Sequence, residues 1–184
     1  MLHLRQNSEL ERNDMSDVKK QIIIIDDDSE MCLVLQEMLE DSYTVTVATA
    51  GQDILPLLNP DISLVIADLV MPGDYDGIDC AVRALYRNAP TLLISGDPVA
   101  CNRITTYGVY CLTKPFTGRE LQQRIKDTLR DHDRHMLALY VSLVQLAHLN
   151  PPLHPSAVAF YKQNERKLDE MYRARAARKG IQTK

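Results

Sequence analysis

The chain has 184 residues, 45% of them hydrophobic and 25% charged, with a formal net charge of −4. This length is enough for one hydrophobic core and an appended segment. The start of the chain, MLHLRQNSEL, turns polar within a few residues, unlike a secretory signal, and the longest apolar stretch, near residues 137–149, is too short to span a bilayer. We therefore expect a cytoplasmic protein without a membrane partner.

Charge is distributed unevenly along the chain. Residues 130–184 contain ten Lys/Arg and five Asp/Glu, whereas the preceding residues contain eleven and twenty. An acidic domain with a basic tail does not have the composition of a nucleic-acid-binding protein as a whole. A solvated helix end is the simplest interpretation of the basic tail, so nucleic acid is not expected as a partner.

The four cysteines form neither a CxxC pair nor a metal-ligand spacing. They are Cys32, Cys80, Cys101 and Cys111. In a cytosolic protein this usage favours reduced thiols that pack in the core.

From residue 21 onward, apolar runs alternate with amphipathic helix patterns, as in an α/β fold. Residues 1–20 are polar, lack periodicity and are predicted to be a disordered leader. The predicted strands are 21–25, 43–48, 62–67, 91–94 and 108–113. Thr-x-x-Gln/Glu patterns beginning at Thr49 and Thr117 are typical of capping boxes, and Asp97–Pro98 is typical of a helix start.

Four of the five strands end in polar side chains. These are Asp26–Asp27, Asp68, Ser95 and Lys114. Taken singly, each has an ordinary explanation as a turn, a cap or a solvated lysine. Parallel strands wound in βα units bring their carboxyl ends to one edge of the sheet, where α/β proteins bind ligands. The sequence therefore predicts a single site with carboxylates, a hydroxyl and an ammonium group.

This set of groups suits phosphoryl chemistry. Neighbouring carboxylates repel each other, and Mg²⁺, which prefers oxygen ligands, relieves the repulsion. An Asp can then act as the nucleophile on a phosphoryl group, while Mg²⁺ and Lys114 supply positive charge. The hydroxyl of Ser95 can donate a hydrogen bond to the product.

Four motifs resemble the receiver domains of two-component response regulators: IIIIDDD, LVIADLVMPG followed by DG, LLISG, and LTKPF. They fall between about Gln21 and His132. The resemblance implies a flavodoxin-like, doubly wound α/β fold with five parallel strands in the order 2-1-3-4-5. The predicted organisation is a leader (1–20), a receiver domain (21–132) and a C-terminal helical extension (133–184).

The resemblance also implies roles for individual residues. Asp68 corresponds to the phosphoacceptor, Ser95 to the switch hydroxyl and Lys114 to the phosphate-pairing lysine. The implied Mg²⁺ ligands are Asp26, Asp27, Asp68 and the backbone carbonyl of Val70. The implied function is a signalling switch with no enzymatic activity beyond its own phosphorylation and dephosphorylation. Its implied partners are a histidine kinase or phosphotransfer protein and an output protein of unknown identity.

One departure from the family pattern affects signal transmission. The family's switch aromatic residue lies three residues before the lysine, where this chain has Cys111. Tyr107 and Tyr110 are the candidates to replace it.

The C-terminal extension is predicted to be a helical hairpin. An apolar seam from Leu121 to Leu146 predicts one long helix over about 117–149, against which a helix near 155–179 folds back. Val141 and Val144 add a second apolar side, which favours a homodimer through these helices. The rivals are a hairpin that packs only within its own chain and one that docks another protein.

Two other functions are compatible with parts of the pattern. A pseudo-receiver adaptor would dock partners without phosphate, although the complete acidic pocket argues against it. A haloacid-dehalogenase-like phosphatase would use Asp26-x-Asp28, but Glu30 stands where that family has Thr or Val, and Asp68 would have no role.

Overall fold

The computed structural model describes residues 19–73, 75–106, 109–147 and 155–182. Its centre is one parallel sheet with the strand order β2-β1-β3-β4-β5. The strands are β1 (Lys20–Ile25), β2 (Tyr43–Ala48), β3 (Ile62–Asp68), β4 (Thr91–Ser95) and β5 (Cys111–Thr113). The predicted fold class and strand order are confirmed. Most of the predicted leader, and Tyr107, lie outside the described residues.

Seven α-helices occur in the described residues. They are α1 (Ser29–Leu39), α2 (Ile54–Leu57), α3 (Gly77–Tyr86), α4 (Pro98–Thr106), α5 (Gly118–Arg130), α6 (His132–Ala147) and α7 (Pro155–Arg178). A short 3-10 turn, Gly51–Asp53, precedes α2. Within this part of the chain, no helix combines the length and the hydropathy that crossing a bilayer requires.

The sheet is covered on both faces, which explains its continuous apolar strands. In β1, Ile22 and Ile24 belong to a core with α1 and α5, whereas Ile23 and Ile25 belong to a core with α2, α3 and α4. All four isoleucines are completely buried. Side chains alternate between the faces of a strand, so a run of four isoleucines stabilises a strand only where helices lie on both sides.

Side-chain caps set the starts of several helices. At α5, Thr117 and Glu120 form the predicted capping box, and Asp97 caps α4 by accepting the N–H groups of Val99 and Ala100. The capping box predicted at Thr49 is wrong. The helix there begins with the 3-10 turn, Ala50 is its N-cap, and no side chain caps it.

The prediction of one continuous helix over 117–149 is also wrong. The chain leaves helical geometry at Asp131, where φ is −99° and ψ is 32°. The Asp131 N–H still donates to Asp127, while the Asp131 carbonyl accepts the N–H of His135 and so starts α6. The break allows His135 to pack against the start of β4, where its Nε2 accepts the backbone N–H of Thr91.

The hairpin of α6 and α7 extends the core of the receiver domain. Every residue of α3 from Gly77 to Leu85 is buried. Six side chains of the hairpin share the core that contains α3: Met136, Leu139, Tyr140, Ala157, Tyr161 and Leu168. Val144 packs against this core as well, whereas Val141 is 42% exposed. Much of the apolar surface expected to drive dimerisation therefore packs within the chain.

The prediction of four reduced cysteines is wrong for one pair. Cys101 of α4 and Cys111 of β5 form a disulfide, while Cys32 and Cys80 are free and buried. The sequence alone does not indicate this pair, because a separation of ten residues matches no short cysteine motif. Only the packing of α4 against β5 brings the two residues together.

Candidate functional site

The predicted site residues meet at the carboxyl edge of the sheet. Asp26 follows β1, Asp68 ends β3, and Ser95 ends β4. The strand register aligns them, because Asp68 pairs with Ile94, next to Ser95. Lys114 follows β5 and donates its backbone N–H to the carbonyl of Ser95 over 2.7 Å.

Lys114 lies between two carboxylates. Its Nζ is 2.6 Å from Oδ1 of Asp68 and 2.8 Å from Oδ2 of Asp26. The Lys114 side chain is 21% exposed, so solvent reaches the charged cluster from one side. The ammonium group is thus held where it can balance negative charge on either carboxylate.

The second oxygen of each carboxylate accepts a backbone N–H. Oδ1 of Asp26 accepts the N–H of Asp28 over 3.0 Å, and Oδ2 of Asp68 accepts the N–H of Val70 over 2.8 Å. These bonds fix both carboxylates in the loops that follow their strands. A side chain at Gly77 would collide with the carbonyl oxygen of Asp68, so glycine is required where α3 begins beside the site.

Burial and pairing act in opposite directions on the charges of the cluster. Burial raises the pKa of Asp26, although Lys114 and the N–H of Asp28 oppose the increase. Burial alone would lower the pKa of Lys114, but its hydrogen bonds to Asp26 and Asp68 hold that pKa above its usual value. The lysine therefore stays charged at neutral pH.

Ser95 is buried and holds the turn before α4. Its Oγ accepts the backbone N–H of Asp97 over 3.1 Å, and Asp97 in turn caps α4. Movement of the Ser95 hydroxyl would therefore break its hydrogen bond to the residue that caps α4.

The chemistry of the donor set fits Mg²⁺, because the groups predicted to hold it are all oxygen donors. Asp26 and Asp68 lie on either side of Lys114, while Asp27 is exposed and Val70 is 64% exposed at the mouth of the site. Among the described residues, no group of three or more His, Cys, Asp or Glu side chains is arranged to hold a metal ion.

Cys111 at the start of β5 and Tyr110 just before it lie on opposite sides of the sheet, which bears on the missing aromatic switch. Cys111 points toward α4, where it bonds to Cys101. Tyr110 instead belongs to the opposite core and stacks on His135, with ring centroids 5.2 Å apart. Tyr110 is therefore on the wrong side of the sheet to connect β5 with α4.

A second charged cluster, under the hairpin, was not anticipated from the sequence. Arg83 of α3 forms an ion pair with Asp79 over 3.1 Å, and both side chains are buried. Arg83 also donates to Ser156 Oγ of α7 and lies over the rings of Tyr75 and Phe160. The i,i+4 spacing of Asp79 and Arg83 was visible in the sequence, but its burial depends on the hairpin.

A buried arginine also fixes the other end of the hairpin. The Nε of Arg175 donates to Asp133 over 2.9 Å, and its guanidinium contacts Asn88 after α3. Asn88 has a φ of 67°, in the left-handed region that Asn tolerates. Arg175, which belongs to the basic tail, is therefore a structural contact within the chain.

Comparisons with known proteins bear on the family and the fold of the chain. A family model described as a response regulator receiver domain matches residues 22–126. The transcriptional regulatory protein CpxR of Escherichia coli (strain K12) is 34% identical over 115 residues, which cover 59% of this chain and 49% of CpxR. The probable transcriptional regulator ycf27 of Pyropia yezoensis is 28% identical over 161 residues, which cover 83% of this chain and 65% of that protein. The chain spans about half the length of the CpxR relatives that it matches.

Solved structures show the same fold. The response regulator receiver protein from Sinorhizobium medicae WSM419 is 25% identical, with a TM-score of 0.55 over 63% of this chain and 98% of that one. The CheY-like receiver domain from Methanospirillum hungatei JF-1 is 23% identical, with a TM-score of 0.54 and the same coverage. Nearly whole receiver domains therefore match less than two thirds of this chain.

Proposed function

Because the chain belongs to the receiver-domain family of response regulators, we propose that it is a two-component response regulator that accepts a phosphoryl group on Asp68. The observation that carries the proposal is the position of Lys114, whose Nζ joins Asp26 and Asp68 at the ligand-binding edge of the sheet. An ammonium group in this position can pair with the Asp68 carboxylate before phosphorylation and with the phosphoryl group on Asp68 afterwards.

In the proposed reaction, an oxygen of Asp68 attacks the phosphorus of a phosphohistidine on the donor protein. The new O–P bond forms as the P–N bond breaks, and the histidine nitrogen retains the electron pair. The N–H of Val70, now on Oδ2 of Asp68, holds the carboxylate while its other oxygen reacts. The product is an acyl phosphate. Its hydrolysis by water returns the Asp68 carboxylate, releases inorganic phosphate and switches the protein off.

Asp26, Asp27, Asp68 and the carbonyl of Val70 are the proposed ligands of Mg²⁺. When bound, Mg²⁺ would neutralise charge on the carboxylates and on the transferred phosphoryl oxygens. Asp26 is buried and its carboxylate is already anchored, whereas Asp27 is exposed and accessible. We therefore propose that Asp27 is the main side-chain ligand of Mg²⁺.

After transfer, Lys114 and Ser95 are proposed to bind the phosphoryl oxygens. Lys114 would give up a contact to a carboxylate and form one to the phosphoryl group, which is also negatively charged. Ser95 would turn its hydroxyl toward the group, and Asp97 would follow because its N–H is bonded to the same oxygen. The start of α4 is therefore the first element expected to move.

The proposed donor is a histidine kinase or a phosphotransfer protein, and the proposed location is the cytoplasm. Four apolar side chains in the segments that follow β1, β3 and β4 are exposed and are available for contact with a protein surface. They are Leu33, Val34, Val70 and Val99. The proposed output is also a protein, and no catalytic activity beyond phosphorylation and dephosphorylation of the chain itself is assigned.

The structure bears on the alternatives. The side chain of Asp28 caps α1 by accepting the N–H groups of Glu30 and Met31, so it does not serve as the second acid of an aspartate-nucleophile phosphatase. Several basic residues of α7 have acidic partners within the chain, as in the pairs Arg166–Glu170, Arg173–Asp169 and Arg175–Asp133, so the basic tail does not require a nucleic acid to explain it. Packing of the hairpin within its own chain is better supported than the homodimer.

Acetyl phosphate tests the proposal without knowledge of the kinase. With Mg²⁺, the wild-type protein should acquire one base-labile phosphoryl group, and chelation of Mg²⁺ should prevent this. Asp27→Ala should require a much higher Mg²⁺ concentration, while Asp61→Ala, an exposed carboxylate outside the site, should behave as wild type. Labelling of the wild type without Mg²⁺, or a normal Mg²⁺ requirement in Asp27→Ala, would contradict the assignment.

A further inference from the structure

The disulfide between α4 and β5 lies within the segments proposed to respond to phosphorylation. Cys101 is the fourth residue of α4 and Cys111 is the first of β5, with their Cα atoms 5.4 Å apart. This separation is in the middle of the usual range for disulfides. The fold therefore places two thiols at bonding distance without help from sequence proximity.

The two ends of the bond are close in sequence to the switch residues. Lys114 follows Cys111 by three residues, and its N–H bonds to the carbonyl of Ser95. Ser95 accepts the N–H of Asp97, which caps α4 and lies four residues before Cys101, one of the buried residues of that helix. The disulfide thus links the helix expected to move to the strand that precedes the phosphate-pairing lysine.

Apart from Cys101, α4 packs against the core through buried Ile104 and partly buried Ala100. Its buried residues are Cys101 and Ile104, while Val99, Asn102 and Arg103 are exposed. A short helix with two buried side chains belongs to the least stable part of a domain. A covalent bond from one of these two residues to the sheet would dominate the attachment of the helix.

Resting on the proposed phosphorylation of Asp68, we propose that Cys101 and Cys111 form a reversible redox site, whose disulfide clamps α4 to β5 and blocks the phosphorylation-dependent movement of α4. Reduction to two thiols releases the helix. Cys111 occupies the position at which the family has its switch aromatic residue. In this chain a covalent bond to α4 therefore stands in place of an aromatic ring. In the cytoplasm, where most disulfides are transient or redox-sensing, this use is consistent with the proposed location.

The oxidation is a thiol–disulfide exchange with a small-molecule disulfide such as oxidised glutathione. One cysteine thiolate attacks the small disulfide, forming a mixed disulfide and releasing one glutathione thiolate. The second cysteine thiolate attacks the mixed disulfide, forming the Cys101–Cys111 bond and releasing the second. The two protons lost by the cysteines pass to the two glutathiones, so two thiols are oxidised as one disulfide is reduced.

Cys32 and Cys80 provide an internal contrast. Burial raises the pKa of Cys80 to about 12 and also raises that of Cys32, which keeps both as unreactive thiols at neutral pH. They are free in the same structure in which Cys101 and Cys111 are bonded. A change of the redox poise is therefore expected to act on one pair of cysteines.

Coupling between the two events must be reciprocal. If the disulfide disfavours the phosphorylated arrangement of α4, phosphorylation must disfavour the disulfide by the same factor. Cys101 and Cys111 are 3% and 6% exposed, so a reductant reaches them only when α4 lifts from β5. Beryllofluoride, which mimics the phosphoryl group, should consequently speed reduction by dithiothreitol.

The test uses the full chain, prepared with oxidised glutathione or with dithiothreitol and assayed by maleimide counting after denaturation. Hydrogen exchange over residues 98–106 is then measured with and without beryllofluoride and Mg²⁺. The reduced protein should show about a tenfold change of exchange in α4 and the oxidised protein a much smaller one. Both forms should still acquire a phosphoryl group from acetyl phosphate.

Two double variants serve as controls. Cys101→Ser with Cys111→Ser should respond like reduced wild type under both conditions, whereas Cys32→Ser with Cys80→Ser should retain the redox dependence. Failure of the pair to oxidise, or an equal response of α4 in both wild-type forms, would overturn the inference alone. A protein that acquires no phosphoryl group in any form would refute the proposed function and this inference together, while the maleimide count would still report the bond.

Discussion

Two clusters of buried charge differ in what surrounds them. At the edge of the sheet, Lys114 pairs with Asp26 and Asp68, and 21% of the lysine side chain remains exposed. Under the hairpin, Arg83 pairs with Asp79, and the two side chains are only 5% and 3% exposed. The first cluster opens to solvent, whereas the second is closed by α7.

The surroundings indicate what each cluster does. The lysine of the open cluster can exchange one anionic contact for another, as binding a phosphoryl group requires. In the closed cluster, Arg83 donates to both the carbonyl and the carboxylate of Asp79 and to Ser156, between the rings of Tyr75 and Phe160. This guanidinium is therefore already surrounded by partners from the protein, and its side chain is only 5% exposed. We therefore assign the open cluster to signalling and the closed cluster to attachment of the hairpin.

The largest expected effect comes from removing the hairpin. A chain that ends at Asp131 would expose α3 and its ion pair, and would lose six buried side chains from the shared core. Since a domain's total stability is about 5–15 kcal/mol, we expect this chain to be unfolded or aggregated. Urea unfolding measures the loss of stability, and a chain ending at Lys179 is the control. If the free energy of unfolding of the truncated protein lay within about 1 kcal/mol of that of the full chain, α3 would be stable without the hairpin.

Single substitutions in the two clusters should differ in size and in response to Mg²⁺. Arg83→Met removes the cation that pairs with the buried Asp79 and should cost about 3–5 kcal/mol of unfolding free energy, unaffected by Mg²⁺. Lys114→Met leaves two carboxylates at an edge open to solvent, so its smaller loss should be recovered when Mg²⁺ is added. Urea unfolding with and without Mg²⁺ separates the two. The same Mg²⁺ response in both variants would erase the distinction.

A smaller effect, dependent on pH, should come from His135 of the hairpin. Burial lowers the pKa of His135 to about 4, below its ordinary value of 6.5. The unfolded chain therefore binds a proton that the folded chain does not between these values, so stability falls as pH falls through this window. The loss from about pH 8 to about pH 5 should be about 2 kcal/mol.

The His135 contribution is isolated by comparison with His135→Gln, which retains an acceptor for the Thr91 N–H but does not titrate. Asp26 and Asp79 act in the opposite sense, because burial raises their pKa values and protonation toward pH 4 favours the folded state. These groups are shared by both proteins and cancel in the difference. Identical pH profiles for His135→Gln and wild type would contradict the assignment.

The sequence predicted the open cluster because its geometry follows from strand ends. Asp26, Asp68, Ser95 and Lys114 each mark the end of a short apolar run, and parallel pairing brings such ends together whatever the helices do. The same local logic predicted the Thr117 cap, whose partner Glu120 is three residues away. At Thr49, the chain instead enters a 3-10 turn beside Tyr75, a contact that no local pattern encodes.

The closed cluster and the disulfide could not be predicted in this way. Arg83 and Ser156 are 73 residues apart, and Cys101 and Cys111 meet only through the packing of α4 on β5. The seam from Leu121 to Leu146 has the periodicity of one long helix. Asp131 alone leaves helical geometry, and one such residue does not change the apolar spacing. Contacts between residues far apart in the sequence decide such features. The burial of α3 beneath the hairpin is another example.

The central claim is that Asp68 in the open cluster receives the phosphoryl group, and locating the group tests it most directly. The protein treated with acetyl phosphate and Mg²⁺ is reduced with borohydride, which converts a phosphorylated aspartate into homoserine, and peptides are sequenced by mass spectrometry. The account predicts homoserine at position 68, its absence in Asp68→Asn, and unmodified aspartate at positions 26, 27 and 79. Homoserine at any of those three positions in the wild type, or an equal yield of modified peptide from Asp68→Asn, would contradict it.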